Sequence, residues 1–327
     1  MVPHMQGFGC RSEKLEDVIV IACPGQGSQT PGFLHPWLED SASRTFLGEA
    51  SERIGIDLVT HGTESDAETI RDTSVAQPLI VAASLLAWRA LGGRASLDAV
   101  GVAGHSVGEF AAAAAAGVLQ ENDALALVAT RGRAMAEAAA LTETGMAAVV
   151  GGTESDVLEK IAAHGLTAAN RNGGGQIVAA GDLPGLAALG EDAPRGARVI
   201  PLQVAGAFHT EYMASAVPVL SEAAQSIETR DPALPLWTNA DGSRVDDGAR
   251  FLELLVSQIA NPVRWDACMD SFQQSGITGL IELTPAGALT GIAKRGLRGV
   301  PTVAVKTPED LDAAASLIAD SATASEQ

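Results

Sequence analysis

The chain has 327 residues, 46% hydrophobic and 4% aromatic, and its 21 basic and 40 acidic side chains give a formal net charge of −19. That length and apolar content predict one large domain, or a large domain with a smaller insert, and exclude a disordered chain. The acidic balance argues against nucleic acid, whose phosphates attract basic stripes, and repels anionic small molecules at long range.

Residues 1–17 carry scattered charges and no signal-peptide pattern, and read as a disordered or vector-derived extension. Residues 18–22, Val-Ile-Val-Ile-Ala, are a continuous apolar run typical of a strand buried on both faces, ending at Pro24-Gly25-Gln26-Gly27. Helical patterns fill 40–56 and 76–91, the second with Leu79, Ala82, Ala83, Leu86 and Ala90 on one face. A second buried strand, 99–103, leads into Gly104-His105-Ser106-Val107-Gly108 and an alanine-rich helix. Strands alternating with helices predict an α/β fold with a mainly parallel sheet. The stretch 145–206 has a different rhythm. It reads as strand 146–150, a helix to about 163 opened by a Thr153/Asp156 capping box, and paired strands 166–170 and 176–180. A short helix 182–189 and a strand 197–204 close it. That β-α-β-β-α-β order is that of a ferredoxin-like unit, a small subdomain inserted over 141–206. The large domain, 18–140, resumes over 207–319 with strand 234–238, helices 247–260 and 265–275, strand 277–283, helix 286–295, strand 301–305 and helix 308–319. Residues 320–327 read as a tail.

Cys10, Cys23 and Cys268 are few and far apart, so neither a disulfide framework nor a metal site is expected. No apolar run approaches the length of a membrane span, the longest candidate being the alanine-rich 110–119. A cytoplasmic protein is expected.

Gly104-x-Ser106-x-Gly108 between a buried strand and a helix has the context of a nucleophile elbow. The sharp turn lifts the Ser106 hydroxyl above the sheet, and the glycines avoid collisions. The first N–H groups of the next helix are expected to lie free beneath it, with that of Val107 aimed at a developing oxyanion. A serine needs a base. Of the six histidines, His4 lies in the extension, His35 and His61 in polar loops, and His164 at a helix end beside Gly165. His105 adjoins the nucleophile, where neighbouring side chains diverge. His209, just past a strand end, remains, and position alone leaves base and bystander level. Its orienting acceptor is a candidate too. In a helix over 247–260 the Gln258 carbonyl lacks its usual donor four residues on, because residue 262 is proline. A plain proline-terminated helix with that carbonyl in water is the commoner account. Arg131 interrupts an apolar face made by Ala124, Leu127, Val128 and Met135 in a helix over 122–139. A buried guanidinium must be paired, either with a structural carboxylate or with an anionic substrate, and both readings stand.

Five motifs in order carry a resemblance: Pro24-Gly25-Gln26-Gly27-Ser28-Gln29, Gly104-His105-Ser106-Val107-Gly108-Glu109, Arg131-Gly132-Arg133-Ala134-Met135, Gly206-Ala207-Phe208-His209 and Gln258-Ile259-Ala260-Asn261-Pro262-Val263. Over roughly 18–319 the chain resembles the malonyl-CoA:acyl carrier protein transacylases and the related acyltransferase domains of polyketide synthases. The resemblance implies an α/β-hydrolase-like core with a ferredoxin-like insert. It implies Ser106 as nucleophile, His209 as base, the Gln258 carbonyl as orienter, and the N–H groups of Gln26 and Val107 as the oxyanion hole. Arg131 would bind the malonyl carboxylate, with Met135 and Phe208 beside it; Phe208 matches the malonyl-type motif, where methylmalonyl-selective relatives usually have serine. Malonyl-CoA is then a substrate, with no resident cofactor, acyl carrier protein is the partner, and a monomer without membrane or nucleic-acid contacts is expected.

Three rival readings stand beside this one. A serine esterase would keep its histidine near the end of the chain, whereas three predicted strands follow His209. A nucleotide-binding protein using Gly25-x-Gly27 fails at Thr30, where the third glycine belongs. A stand-alone acyltransferase of a polyketide pathway, the alternative to a transacylase of bacterial type II fatty acid synthesis, keeps the chemistry and changes only the pathway. Lys294, Arg295, Arg298 and Lys306 lie in a stretch free of acidic residues between Glu282 and Glu309. A solvated helix end is the commoner account of such cations. With Arg195 and Arg198, they are the expected contacts for the carrier protein or the CoA phosphates.

Overall fold

The computed structural model describes residues 18–324, so the expected extension at 1–17, with His4 and Cys10, lies outside the described residues. The chain opens with β1 (Ile19–Cys23), α1 (Ser41–Ile54), α2 (Leu58–Thr63), α3 (Thr73–Gly92), β2 (Val100–Gly104), α4 (Gly108–Ala115) and α5 (Glu121–Ala140). It continues through β3 (Thr144–Gly151), α6 (Glu154–Ala163), β4 (Thr167–Gly173), β5 (Gln176–Asp182), α7 (Leu183–Glu191) and β6 (Ala197–Pro201). The remainder is α8 (Ala216–Ala224), β7 (Leu236–Trp237), α9 (Gly248–Ser257), β8 (Val263–Arg264), α10 (Trp265–Gln274), β9 (Gly279–Glu282), α11 (Ala288–Gly296), β10 (Thr302–Ala304) and α12 (Leu311–Ala324).

Five parallel strands in the order β10-β9-β1-β2-β7 make the larger sheet, which makes the protein α/β with a parallel sheet. All five residues of β1 and of β2 are buried, as a strand covered on both faces requires. Their register pairs Cys23 with Gly104 at the carboxyl ends. The turn after β1 and the elbow after β2 are therefore neighbours, at the end of a parallel sheet where ligands bind. A second sheet has the order β6-β3-β5-β4-β8, antiparallel except for the β4–β8 pair. Its first four strands follow the order read from 145–206, but β8 comes from beyond that stretch, pairing Asn170 with Val263. Two residues are too few for a periodicity to reveal. The β4–β5 connection uses Gly173, Gly174 and Gly175 at positive φ, a conformation open to glycine without strain.

Several expectations need correction. Helix α3 is long and apolar enough to cross a membrane, contrary to the absence of such a run, but 72% of its apolar window is buried within the protein. It is a core helix, started three residues early by Asp72, whose carboxylate accepts the Ser74 N–H at 2.8 Å. Leu79, Ile80, Val81, Leu85 and Leu91 in it are fully buried, each contributing about 1.5–3 kcal/mol. The Thr153/Asp156 capping box does not form, because Thr153 caps α6 through its backbone alone. Residues 152–156 are exposed, so water can satisfy the helix donors. His61 lies in α2 rather than a loop, bonded to Ser65 at 2.9 Å. The last helix runs on to Ala324. Helix α8 was not foreseen, and the helix expected to reach 260 stops at Ser257 and tightens into a 3-10 turn, Gln258–Ala260.

Candidate active site

Gly104 and Gly108 flank the elbow for a steric reason. A Cβ on Gly104 would lie 2.1 Å from the Glu109 nitrogen, and one on Gly108 would lie 2.2 Å from the Cys23 carbonyl oxygen. Ser106 between them has φ +52°, a left-handed conformation rare for a side chain other than glycine and found where function holds a backbone under strain. The turn beneath it is tighter than expected. The N–H groups of Gly108 and Glu109 bond back to the His105 and Ser106 carbonyls at 3.0 Å each, so they are not free. Gln26 and Val107, the expected oxyanion donors, line one cleft with Ser106 and His209.

Ser106 Oγ lies 2.7 Å from His209 Nε2, and His209 Nδ1 lies 2.9 Å from the Gln258 carbonyl oxygen. A carbonyl can only accept, so Nδ1 carries the proton and Nε2 presents its lone pair to the serine hydroxyl. The Gln258 carbonyl also accepts the Asn261 N–H at 3.3 Å within the 3-10 turn. It is therefore shared rather than wholly vacant, while the donor that Pro262 lacks remains the reason it can turn to the imidazole. His209 is 3% exposed with φ +62°. Burial first, and the Arg131 charge second, push its pKa down to about 3. The imidazole is thus neutral at pH 7 and able to take a proton.

Arg131 is fully buried. Its Nη1 donates to Gln77 Oε1 at 2.7 Å, and its Nη2 to Gln258 Oε1 at 2.9 Å and to Ser106 Oγ at 3.4 Å. Its Nε has no partner among the described residues. Burial pulls its pKa down to about 10, against the opposing pull of Glu109. The structural carboxylate that would have explained Arg131 is absent as a direct partner among the described residues, since every acceptor bonded to it is a neutral oxygen. Met135 and Phe208 line the same cleft, whose volume is about 370 Å³.

Sequence reasoning missed four groups. Asn239, fully buried, clamps the elbow: its Oδ1 accepts the Ser106 N–H at 2.7 Å and its Nδ2 donates to the Gly104 carbonyl at 2.8 Å. It follows β7, and its place just past the carboxyl end of a parallel strand was the available clue. Gln77 was hidden in an apolar helix, where a lone amide is conspicuous only once Arg131 is known to face it. Asn172 Oδ1 accepts from His105 Nε2 at 2.8 Å, fixing the ring that also meets Trp265 edge-on at 5.8 Å. Glu109, 1% exposed, receives the Asn239 N–H at 2.6 Å and the Gln258 amide. A carboxylate in the first turn of an alanine-rich helix was the signal. Of the basic residues, Lys294, Arg295 and Arg298 are exposed at and just beyond the end of α11, whose first residues line the cleft. Arg195 and Arg198, also exposed, lie before and on β6, the opposite edge of the small sheet from β8.

A serine in a strained elbow, a neutral histidine oriented through its far nitrogen and a cleft at the end of a parallel sheet together suit acyl transfer through a serine ester. Residues 20–318 match the acyl transferase domain family, and the chain belongs to it: it is an acyltransferase. This membership sets aside the nucleotide-binding and esterase alternatives. The chain is 51% identical over 302 residues to the malonyl CoA-acyl carrier protein transacylase of Mycobacterium tuberculosis, covering 92% of this chain and 100% of that protein. It is similar to the crystal structure of MCAT from the same organism, with a TM-score of 0.88 and 51% identity over 91% of this chain and 99% of the other. It also resembles a malonyl-transacylase solved in complex with its type II PKS acyl-carrier protein, with a TM-score of 0.86 and 28% identity over 91% and 99% of the two chains.

Proposed function

We propose that this acyltransferase moves the malonyl group from malonyl-CoA to the phosphopantetheine thiol of acyl carrier protein, through a malonyl ester on Ser106. The observation that carries the malonyl assignment is Arg131: fully buried, 3.4 Å from the nucleophile, and bonded only to neutral oxygens. A buried cation with no directly bonded anion is costly, and the Glu109 carboxyl reaches Arg131 only through the Gln258 amide, so the site favours a substrate that brings a carboxylate. A malonyl group held by its ester carbonyl at Ser106 carries its carboxylate one carbon further on, within reach of that guanidinium.

His209 Nε2 takes the Ser106 proton as Oγ attacks the thioester carbonyl. The negative oxygen is stabilised by the N–H groups of Gln26 and Val107, a type of contact in which one donor can be worth about 3–4 kcal/mol. The C–S bond then breaks, and the imidazolium returns its proton to the departing CoA thiolate. In the second half the carrier thiol gives its proton to His209 and attacks the ester, and the proton passes back to Ser106 Oγ as the C–O bond breaks. The Gln258 carbonyl steadies the imidazolium in both halves. Met135 and Phe208 pack beside the malonyl methylene.

On this reading the parallel-sheet part, 18–140 with 207–319, is a hydrolase-like core, and 141–206 is a ferredoxin-like subdomain. The β-α-β-β-α-β order of Thr144–Pro201 supports the second assignment. The enzyme works in the cytoplasm as a monomer, with no resident cofactor. Lys294, Arg295 and Arg298, with Arg195 and Arg198, supply carrier-protein contacts, supported by their exposure. A second reading keeps the chemistry and changes the carrier to one of a polyketide pathway, favoured by the likeness to the malonyl-transacylase solved with its type II PKS acyl-carrier protein. The test is the mass of a holo carrier protein incubated with malonyl-CoA and catalytic amounts of enzyme. A malonyl gain that needs Ser106 is expected, and equal gain with Ser106→Ala would refute the proposal. Comparing kcat/KM for fatty acid and polyketide carriers separates the two readings.

A further inference from the structure

No step above uses the buried carboxyl of Glu109. It lies in the first turn of α4, where the helix end favours an acidic group. Its Oε1 accepts the Asn239 backbone N–H at 2.6 Å, and its Oε2 accepts from Gln258 Nε2. These same two partners hold the backbone of the nucleophile. Asn239 Oδ1 takes the Ser106 N–H at 2.7 Å, and Gln258 Nε2 reaches the Ser106 carbonyl at 3.2 Å. Gln258 is committed at its other end, since Oε1 accepts from Arg131 at 2.9 Å. A guanidinium has no acceptor, so the amide must turn its oxygen to Arg131 and its NH₂ to Glu109. The Glu109 oxygen facing Gln258 therefore has to accept, and the oxygen facing Asn239 meets a backbone N–H that can only donate.

We propose that Glu109 is a positioning residue for acyl transfer: by accepting at both oxygens it fixes the Gln258 amide and the Asn239 loop, and through them the Ser106 backbone, the His209 acceptor and the Arg131 fork. The inference rests on the acyl-transfer reading of Ser106 and His209. Its chemistry makes one substitution informative. Glu109→Gln preserves shape, yet in either orientation its own NH₂ opposes a donor, the Asn239 N–H or the Gln258 NH₂. Relief requires Asn239 to move or the Gln258 amide to flip, and each removes one of the two side-chain bonds that hold the Ser106 backbone.

The experiment is a double-mutant cycle of Glu109→Gln and Gln258→Met, with malonyl-CoA and a holo carrier protein as substrates and thermal unfolding recorded alongside. In folded Glu109→Gln, kcat falls at least tenfold and KM for malonyl-CoA changes less than kcat, because Glu109 does not touch substrate. In the Gln258→Met background the same substitution costs less than threefold, since the amide it would disturb is gone. A purely structural role would lower Tm with kcat within twofold of wild type, or cost the same in both backgrounds, and either result overturns the proposal. If Glu109→Gln does not fold, Gln258→Met alone decides: a tenfold loss of kcat supports the inference and an unchanged kcat overturns it. Wild-type protein that forms no malonyl ester would overturn the acyl-transfer reading itself and this inference with it, whereas a normal ester with an insensitive Glu109 overturns only the latter.

Discussion

Replacing Arg131 by Met removes the guanidinium and keeps most of the stem's bulk. In the free protein, Gln77 Oε1 and Gln258 Oε1 lose donors at 2.7 and 2.9 Å. Each buried acceptor left unpaired costs about 1–3 kcal/mol, offset by no longer burying a charge, so stability should change little. The substrate complex loses far more. A carboxylate gripped by a guanidinium gains two charge-assisted hydrogen bonds of about 1.5–3 kcal/mol each. Their sum, roughly 3–6 kcal/mol, corresponds to a factor of about 10²–10⁴ in kcat/KM. Acetyl-CoA lacks the carboxylate and should lose much less. The assay is competition between malonyl-CoA and acetyl-CoA, read as the masses of the two acyl-enzymes. A second consequence concerns the base. Because the Arg131 charge is the second cause, after burial, of the low His209 pKa, its removal should shift the acid limb of kcat to higher pH. A folded Arg131→Met protein that keeps the wild-type malonyl preference would refute the assignment.

Three further predictions concern the base, the elbow and the surface. Burial holds the His209 pKa at about 3 against an ordinary 6.5, so the unfolded chain binds a proton that the folded site refuses. Stability from this source is present above about pH 6.5 and is lost as pH falls toward 3, by at most about 1.4 kcal/mol per pH unit. Thermal unfolding of His209→Asn across that window should show a flatter pH slope; a slope equal to wild type contradicts the assignment. Gly108→Ala puts a Cβ 2.2 Å from the Cys23 carbonyl oxygen, so at least about 3 kcal/mol of stability should be lost, measured by denaturant unfolding. A stable, fully active Gly108→Ala protein would be incompatible with the elbow packing described above. Lys294→Glu with Arg298→Glu should raise the carrier-protein KM several-fold at low salt and less at high salt, leaving KM for malonyl-CoA nearly unchanged. Arg295 is a poorer probe, because it also bonds the Gly174 and Gly291 carbonyls at 3.0 and 2.9 Å. Carrier kinetics indifferent to the double reversal would remove the surface assignment.

Much of this site was legible because its chemistry is local in sequence. The elbow needs glycine two residues either side of the centre of a strand-to-helix turn, and Gly104 and Gly108 stand there. Pro262 reports on a carbonyl four residues back, and Arg131 is visible as a break in an apolar helical face. What escaped was long-range and polar. Asn239 and Gln77 carry no periodicity, and their partners lie 133 and 54 residues away, at Ser106 and Arg131. The side chain of Gln258 escaped notice although its carbonyl did not, because only the fold brings Arg131 and Glu109 to its two ends. Strand β8 was unreadable for another reason: two residues cannot display an alternation, and their pairing is decided by the partner β4. The formal charge of −19 concealed the local field, since a single buried arginine lies 3.4 Å from the Ser106 hydroxyl.

The central claim is a malonyl ester on Ser106, and intact-mass measurement of the wild-type protein after brief exposure to malonyl-CoA tests it most directly. One added malonyl group per chain, mapped by peptide digestion to Ser106 and discharged by a holo carrier protein, is the predicted result. No adduct on the wild type, or an adduct that persists in Ser106→Ala, would contradict it.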